Sequence, residues 1–203
     1  MDKLDQVTYK TINSSSEGIF KEKGSKFLAF AFPVSTEDEI KEHLAELRKE
    51  HYNARHYCYA YRINPKQIYE RSNDDGEPRH SAGTPILGQL LSFEVVNTLI
   101  VVVRYFGGTK LGVPGLVNAY KTAARFALES ADIITRTHRV HALLTFDYEE
   151  LNDVMQVIKR YDASIIKQEM LQNINMKLEI REDHLSLMQR DFYSFKSVNF
   201  RAL

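Results

Sequence analysis

The chain has a single cysteine, Cys58, among 203 residues. One thiol cannot close an internal disulfide, which excludes a disulfide scaffold and fits a reducing compartment. Long apolar runs are also missing: no stretch reaches about 18 residues, so no bilayer-crossing helix is expected and no membrane partner. The opening residues, MDKLDQVTYK, lack the apolar core of a secretory signal. A cytoplasmic location is the expectation. Charge imbalance is missing too. Lys and Arg number 27 and Asp and Glu 27, and division after Thr137 leaves each part within one charge of neutral. Bulk basicity, the footprint of many nucleic-acid binders, is therefore absent, and any such role has to rest on a local patch. No internal repeat and no low-complexity linker interrupts the chain.

What is present reads as an α+β protein of ordinary globular composition, long enough for one large domain or two small ones. Residues 1–18 are polar and end in Ser14–Ser16, the pattern of a loosely held lead-in. Phe27–Phe32 (FLAFAF) is the first strand, bounded by Gly24 and Pro33. Thr36 and Glu39 form a capping-box pattern, and Ile40, Leu44 and Leu47 recur at helical spacing toward His51. His56–Ile63 alternates strictly as a strand, with Tyr57, Tyr59 and Tyr61 on one face. Asn64-Pro65 turns the chain into a shorter strand over Gln67–Ser72. Thr84-Pro85 is a good N-cap and first-turn pair for the next helix. Leu99–Val103 (LIVVV) has no alternation, as in a strand covered on both faces. Past Pro114, a helix carries one stripe of Leu116, Tyr120, Ala123, Ala124, Ala127 and Leu128. Asp132–Arg139 is the expected crossing into a second unit. There the order is strand, helix, strand, strand, helix, strand, with Asp183 placed to cap the second helix. That order is the ferredoxin-like split unit.

Two glycine-bearing runs stand apart, Asp74–Pro85 (DDGEPRHSAGTP) and Arg104–Gly115 (RYFGGTKLGVPG). Each ends in a proline that can open a helix, whose N-terminal N–H groups suit an anion. The spacings of the P-loop and of the dinucleotide-binding loop are both absent. Gly107-Gly108-Thr109-Lys110 with Arg104 can still hold an anionic group, although a tight turn between strand and helix is the commoner reason for such glycines. Asp74, Asp75 and Glu77 offer acid, base or metal-ligand chemistry, but their order does not match a calcium loop, and a turn needs no ligand. His51, His56 and His80 lack zinc spacing. Ser81 is outside any nucleophile elbow, and mid-strand Cys58 reads as a small buried hydrophobe. The tyrosine face can stack bases, though such faces are more often core. No metal and no cofactor is expected.

Together the runs resemble the signature of the IMPACT/YigZ family. The first motif is Asp75-Gly76-Glu77-Pro78 followed by Ala82-Gly83-Thr84-Pro85-Ile86-Leu87; the second is Val102–Gly112 with Leu116 and Ala119-Tyr120. The likeness covers about residues 17–130. Pro114 stands where many members have glycine, and Arg79-His80 adds bulk and charge after Glu-Pro. The resemblance implies an N-terminal domain (1–135) similar to a ribosomal-protein domain and to domain four of elongation factor G. It implies a ferredoxin-like C-terminal domain (136–203). It further implies a non-catalytic role in translation or its regulation, with RNA, the ribosome or a translation-associated protein as partner. The expected partner surface is Asp74, Asp75, Gly76, Glu77 and Arg79 of the first run, Arg104, Tyr105, Gly107, Gly108, Lys110 and Gly112 of the second, and Lys121 beyond it. The alternative is an enzyme acting on a small phosphorylated or acidic metabolite, with the acidic turn as catalyst and Arg104 as clamp.

Overall fold

A computed structural model describes residues 8–203, which divide into two compact units, Tyr9–Arg136 and Thr137–Leu203, with Thr8 grouped with the latter. The part of the polar lead-in over 1–7 lies outside the described residues.

The first unit runs β1 (Thr8–Ile12), β2 (Ser16–Glu22), β3 (Ser25–Pro33), α1 (Glu37–Glu50), β4 (His56–Ile63), β5 (Tyr69–Asn73), α2 (Gly83–Ser92), β6 (Thr98–Tyr105), α3 (Gly112–Glu129) and β7 (Ile133–Thr137). Five strands form one antiparallel sheet in the order β2-β3-β6-β4-β5. Central β6 separates two cores, which is why LIVVV shows no alternation. On one face Ile100 and Val102 pack with Cys58, Ala60 and the alanine stripe of α3. On the other, Leu99, Val101 and Val103 pack with Tyr57, Tyr61 and the α1 residues Ile40 and Leu47. The tyrosine face is therefore core. Helix α1 begins as its sequence requires: Thr36 Oγ1 accepts the Glu39 N–H at 3.3 Å, and the Glu39 carboxylate accepts the Thr36 N–H at 3.4 Å. Acidic residues fill its first turn and Arg48 and Lys49 its last, opposing the helix dipole.

Three expectations are corrected. The lead-in contains β1 and the first three residues of β2, and the crossing segment contains β7, which pairs with β1 in a separate two-stranded sheet. Thr84 is not an N-cap, because α2 already begins at Gly83 after Ala82. Asp183 caps nothing: it sits in the first helical turn and pairs with Arg181 at 2.7 Å.

The second unit runs β8 (Arg139–Phe146), a 3-10 turn (Tyr148–Glu150), α4 (Leu151–Arg160), β9 (Ser164–Met170), β10 (Ile174–Arg181), α5 (Glu182–Phe192) and β11 (Asn199–Ala202). Its four strands are antiparallel in the order β11-β8-β10-β9. The alternation Ile174, Met176, Leu178, Ile180 faces Val154, Val157 and Ile158 of α4 and Met188 and Phe192 of α5. The opposite sheet face carries residues such as Thr145 and Lys177, and neither α4 nor α5 packs on it. Among the described residues, no helix is long and apolar enough to cross a membrane.

Candidate functional site

Both glycine-bearing runs leave the same sheet, one after edge strand β5 and the other after central β6, and they meet over α3. Three acidic side chains within four residues, Asp74, Asp75 and Glu77, serve three different sets of partners there.

Asp74 turns back toward α2. Its Oδ1 accepts the N–H groups of Ala82 at 3.0 Å and Gly83 at 2.8 Å, and its Oδ2 accepts that of His80 at 2.8 Å. A helix with no capping side chain of its own is thus capped from nine residues upstream of Gly83. Burial disfavours the Asp74 carboxylate, and the N–H groups of Gly83, His80 and Ala82 outweigh it, holding its pKa below the ordinary value. Because the folded pKa is depressed, this stabilisation is complete above about pH 4 and is lost as pH falls through the lowered value. Asp74→Asn, which keeps one acceptor and turns the other toward N–H donors, is expected to cost roughly 2 kcal/mol at neutral pH. The variant is also expected to lose less stability on acidification. Urea unfolding followed at neutral and acid pH reads both effects; equal midpoints for the two proteins at pH 7 would refute the cap.

Asp75 ties the turn to α1 and β4. Its Oδ1 accepts from Arg48 at 3.0 Å and its Oδ2 from the Tyr57 N–H at 2.7 Å. Asp75 and Gly76 both lie at positive φ, 39° and 86°, so the glycine is where the turn needs left-handed freedom. The Asp75 carbonyl is 2.9 Å from His56 Nδ1, and a carbonyl can only accept, so Nδ1 carries the proton.

Glu77 goes inward. Its Oε1 accepts from Arg104 Nη1 at 2.6 Å and from the Tyr120 hydroxyl of α3 at 2.8 Å. Only 7% of the Arg104 side chain and 4% of the Glu77 side chain are exposed. The guanidinium lies 5.4 Å from the Phe27 ring and 5.5 Å from the Phe106 ring. Arg104 is therefore not the freely exposed phosphate contact that the sequence suggested: as the last buried residue of β6 it is flanked by these rings and its Nη1 is committed to Glu77, with Nε left without an acceptor among the described residues. Burial raises the Tyr120 phenol well above its ordinary pKa, so it stays a donor to Glu77. Burial likewise raises the Cys58 thiol, which donates to the Asp74 carbonyl at 3.0 Å and is not a nucleophile.

The glycine loop is held by close backbone approach. Gly107 lies against Gly24 in the β2–β3 turn, and its N–H donates to Ser25 Oγ at 3.1 Å. Gly108 and Gly112 take positive φ, 88° and 72°, and Gly112 starts α3. Tyr105 hydrogen-bonds His51 Nδ1 at 3.0 Å. Arg79, Lys110 and Lys121 are exposed and have no carboxylate partner among the described residues. No cluster of three potential metal ligands occurs among the described residues. Sequence reading passed over Arg48, Tyr57 and Tyr120 as site residues. Tyr120 alone carried a signal, since it closes the second motif.

Fold and site define a mixed α/β protein of two units whose signature carboxylates brace the chain. A family model for the Impact N-terminal domain matches residues 23–128, and the chain belongs to the IMPACT family. Family member YvyE of Bacillus subtilis is 37% identical over 129 residues, 64% of this chain and 59% of that protein. Family member YigZ of Escherichia coli is 32% identical over 146 residues, 71% of this chain and 72% of the relative. The crystal structure of a hypothetical protein, 25% identical, matches with a TM-score of 0.76 across 98% of each chain.

Proposed function

We propose that this chain is a non-catalytic cytoplasmic binding protein acting in translation or its regulation, through contact with RNA, the ribosome or a protein of that machinery. Family membership supports the setting. One observation carries the mode of action: all three acidic side chains of the first run are engaged by the chain's own donors, whereas Arg79, Lys110 and Lys121 remain exposed without carboxylate partners among the described residues. An enzyme working through the acidic turn would first have to release one of these carboxylates. A binding surface needs no such change, and exposed cations can meet phosphate or acidic side chains directly.

Co-sedimentation of the full chain with ribosomes over a range of salt tests the reading. Association is expected to weaken steeply with salt, and the combined Arg79→Gln, Lys110→Gln, Lys121→Gln variant is expected to bind at least about tenfold more weakly. Salt-independent association, or none at all, would overturn it.

A further inference from the structure

The antiparallel register sets His56, at the start of β4, opposite Arg104, at the end of β6. Beside this pair lies a cleft of about 390 Å³ lined by Asn53, Arg55, His56, Arg104, Tyr105 and Phe106. Its size falls within the range of small-ligand sites. The lining holds two guanidinium groups and no carboxylate. Glu77, the carboxylate that meets Arg104, is already engaged by Nη1 and by Tyr120. Arg104 Nε is buried with no acceptor among the described residues, although its side chain is more than nine-tenths buried. Such a group ordinarily finds a partner. Arg55 is exposed and has no carboxylate partner among the described residues. With His56 Nδ1 donating to Asp75, its Nε2 is left for another partner. Phe106 is 56% exposed, and its ring is held 5.5 Å from the Arg104 guanidinium.

We propose that this cleft binds a nucleotide, with the phosphate on Arg55 and Arg104 and the base stacked on Phe106. Cation and aromatic ring side by side are the two elements that single-stranded nucleic-acid sites combine. Arg104 fixes the ring from one side, so stacking needs little further ordering of Phe106. The nucleotide is part of an RNA strand if the binding role proposed above is right, and the inference rests on that role only for this source. A free mononucleotide presents the same phosphate and base.

The experiment is fluorescence anisotropy of the full chain with a short labelled single-stranded RNA, competed by nucleoside monophosphates and by inorganic phosphate. Wild type is expected to bind the RNA, with monophosphates competing better than phosphate. Phe106→Ala is expected to weaken RNA binding about tenfold, with Phe106→Tyr restoring it. Arg55→Gln is expected to weaken it about tenfold and to reduce the salt slope by about one. Both altered side chains are exposed, and thermal melting confirms that the variants fold. Monophosphate binding without RNA binding assigns the cleft to a free nucleotide and rejects the RNA source. Folded variants that bind as tightly as wild type, or no binding of RNA or monophosphate, overturn the site. Ribosome association that survives such a loss leaves the binding role standing. Nucleotide binding without ribosome association does the reverse.

Discussion

Glu77→Ala is expected to destabilise the first unit by roughly 3–5 kcal/mol, the cost of removing one partner from a buried ion pair. The loss exceeds that of an exposed pair because Arg104 has nowhere to turn. Its side chain is 7% exposed, and Tyr120 loses its acceptor in the same step. Against a total of about 5–15 kcal/mol for a typical domain, such a change leaves little margin. Tryptophan is absent, so unfolding in urea is best followed by circular dichroism. The joint replacement Glu77→Leu with Arg104→Met removes both charges and is expected to recover a good part of the loss. A Glu77→Ala cost below about 1 kcal/mol, the range of a solvent-exposed pair, would show that the ion pair opens freely to water.

Gly107→Ala is the second large effect, at about 3 kcal/mol, the upper part of the overpacking range. An added Cβ would overlap the Gly24 carbonyl carbon and the Ser25 nitrogen, both backbone atoms, so no side-chain rotation relieves it. The neighbouring Gly108→Ala separates space from conformation. A Cβ there meets nothing within 4 Å, while φ of +88° disfavours any side chain, and a cost of about 1–2 kcal/mol is expected. Equal unfolding midpoints for the two variants would refute the close approach of loop and hairpin turn.

The contrast between what the sequence showed and what it hid follows contact distance. Strand β4 was legible to the residue because alternation is local, and α1 because its capping box spans four positions. The second unit was legible as an order of elements for the same reason. Strands β1 and β7 were not, because each pairs with the other across most of the first unit and neither carries a strong apolar pattern. Strand β2 was hidden as well: its start fell in the polar lead-in, its polar face is exposed, and its Gly18 is small for a non-local reason, since a Cβ there would run into Ala127 of α3. In the site, the motifs announced that the two runs belong together. They did not reveal that Glu77 and Arg104 neutralise each other, because both look like surface residues until Phe27, Phe106 and Tyr120 enclose them.

The cap that Asp74 places on α2 also has a kinetic consequence. With no N-terminal side-chain cap of its own, this ten-residue helix is too short to persist alone. Its first turn is complete only when the strand-end turn carrying Asp74 is folded against it, so turn and helix open and close as one cooperative unit. Amide hydrogens of His80, Ala82 and Gly83 then exchange together, at a rate set by the turn rather than by fraying of the helix end. A ligand that grips the turn would slow all three at once.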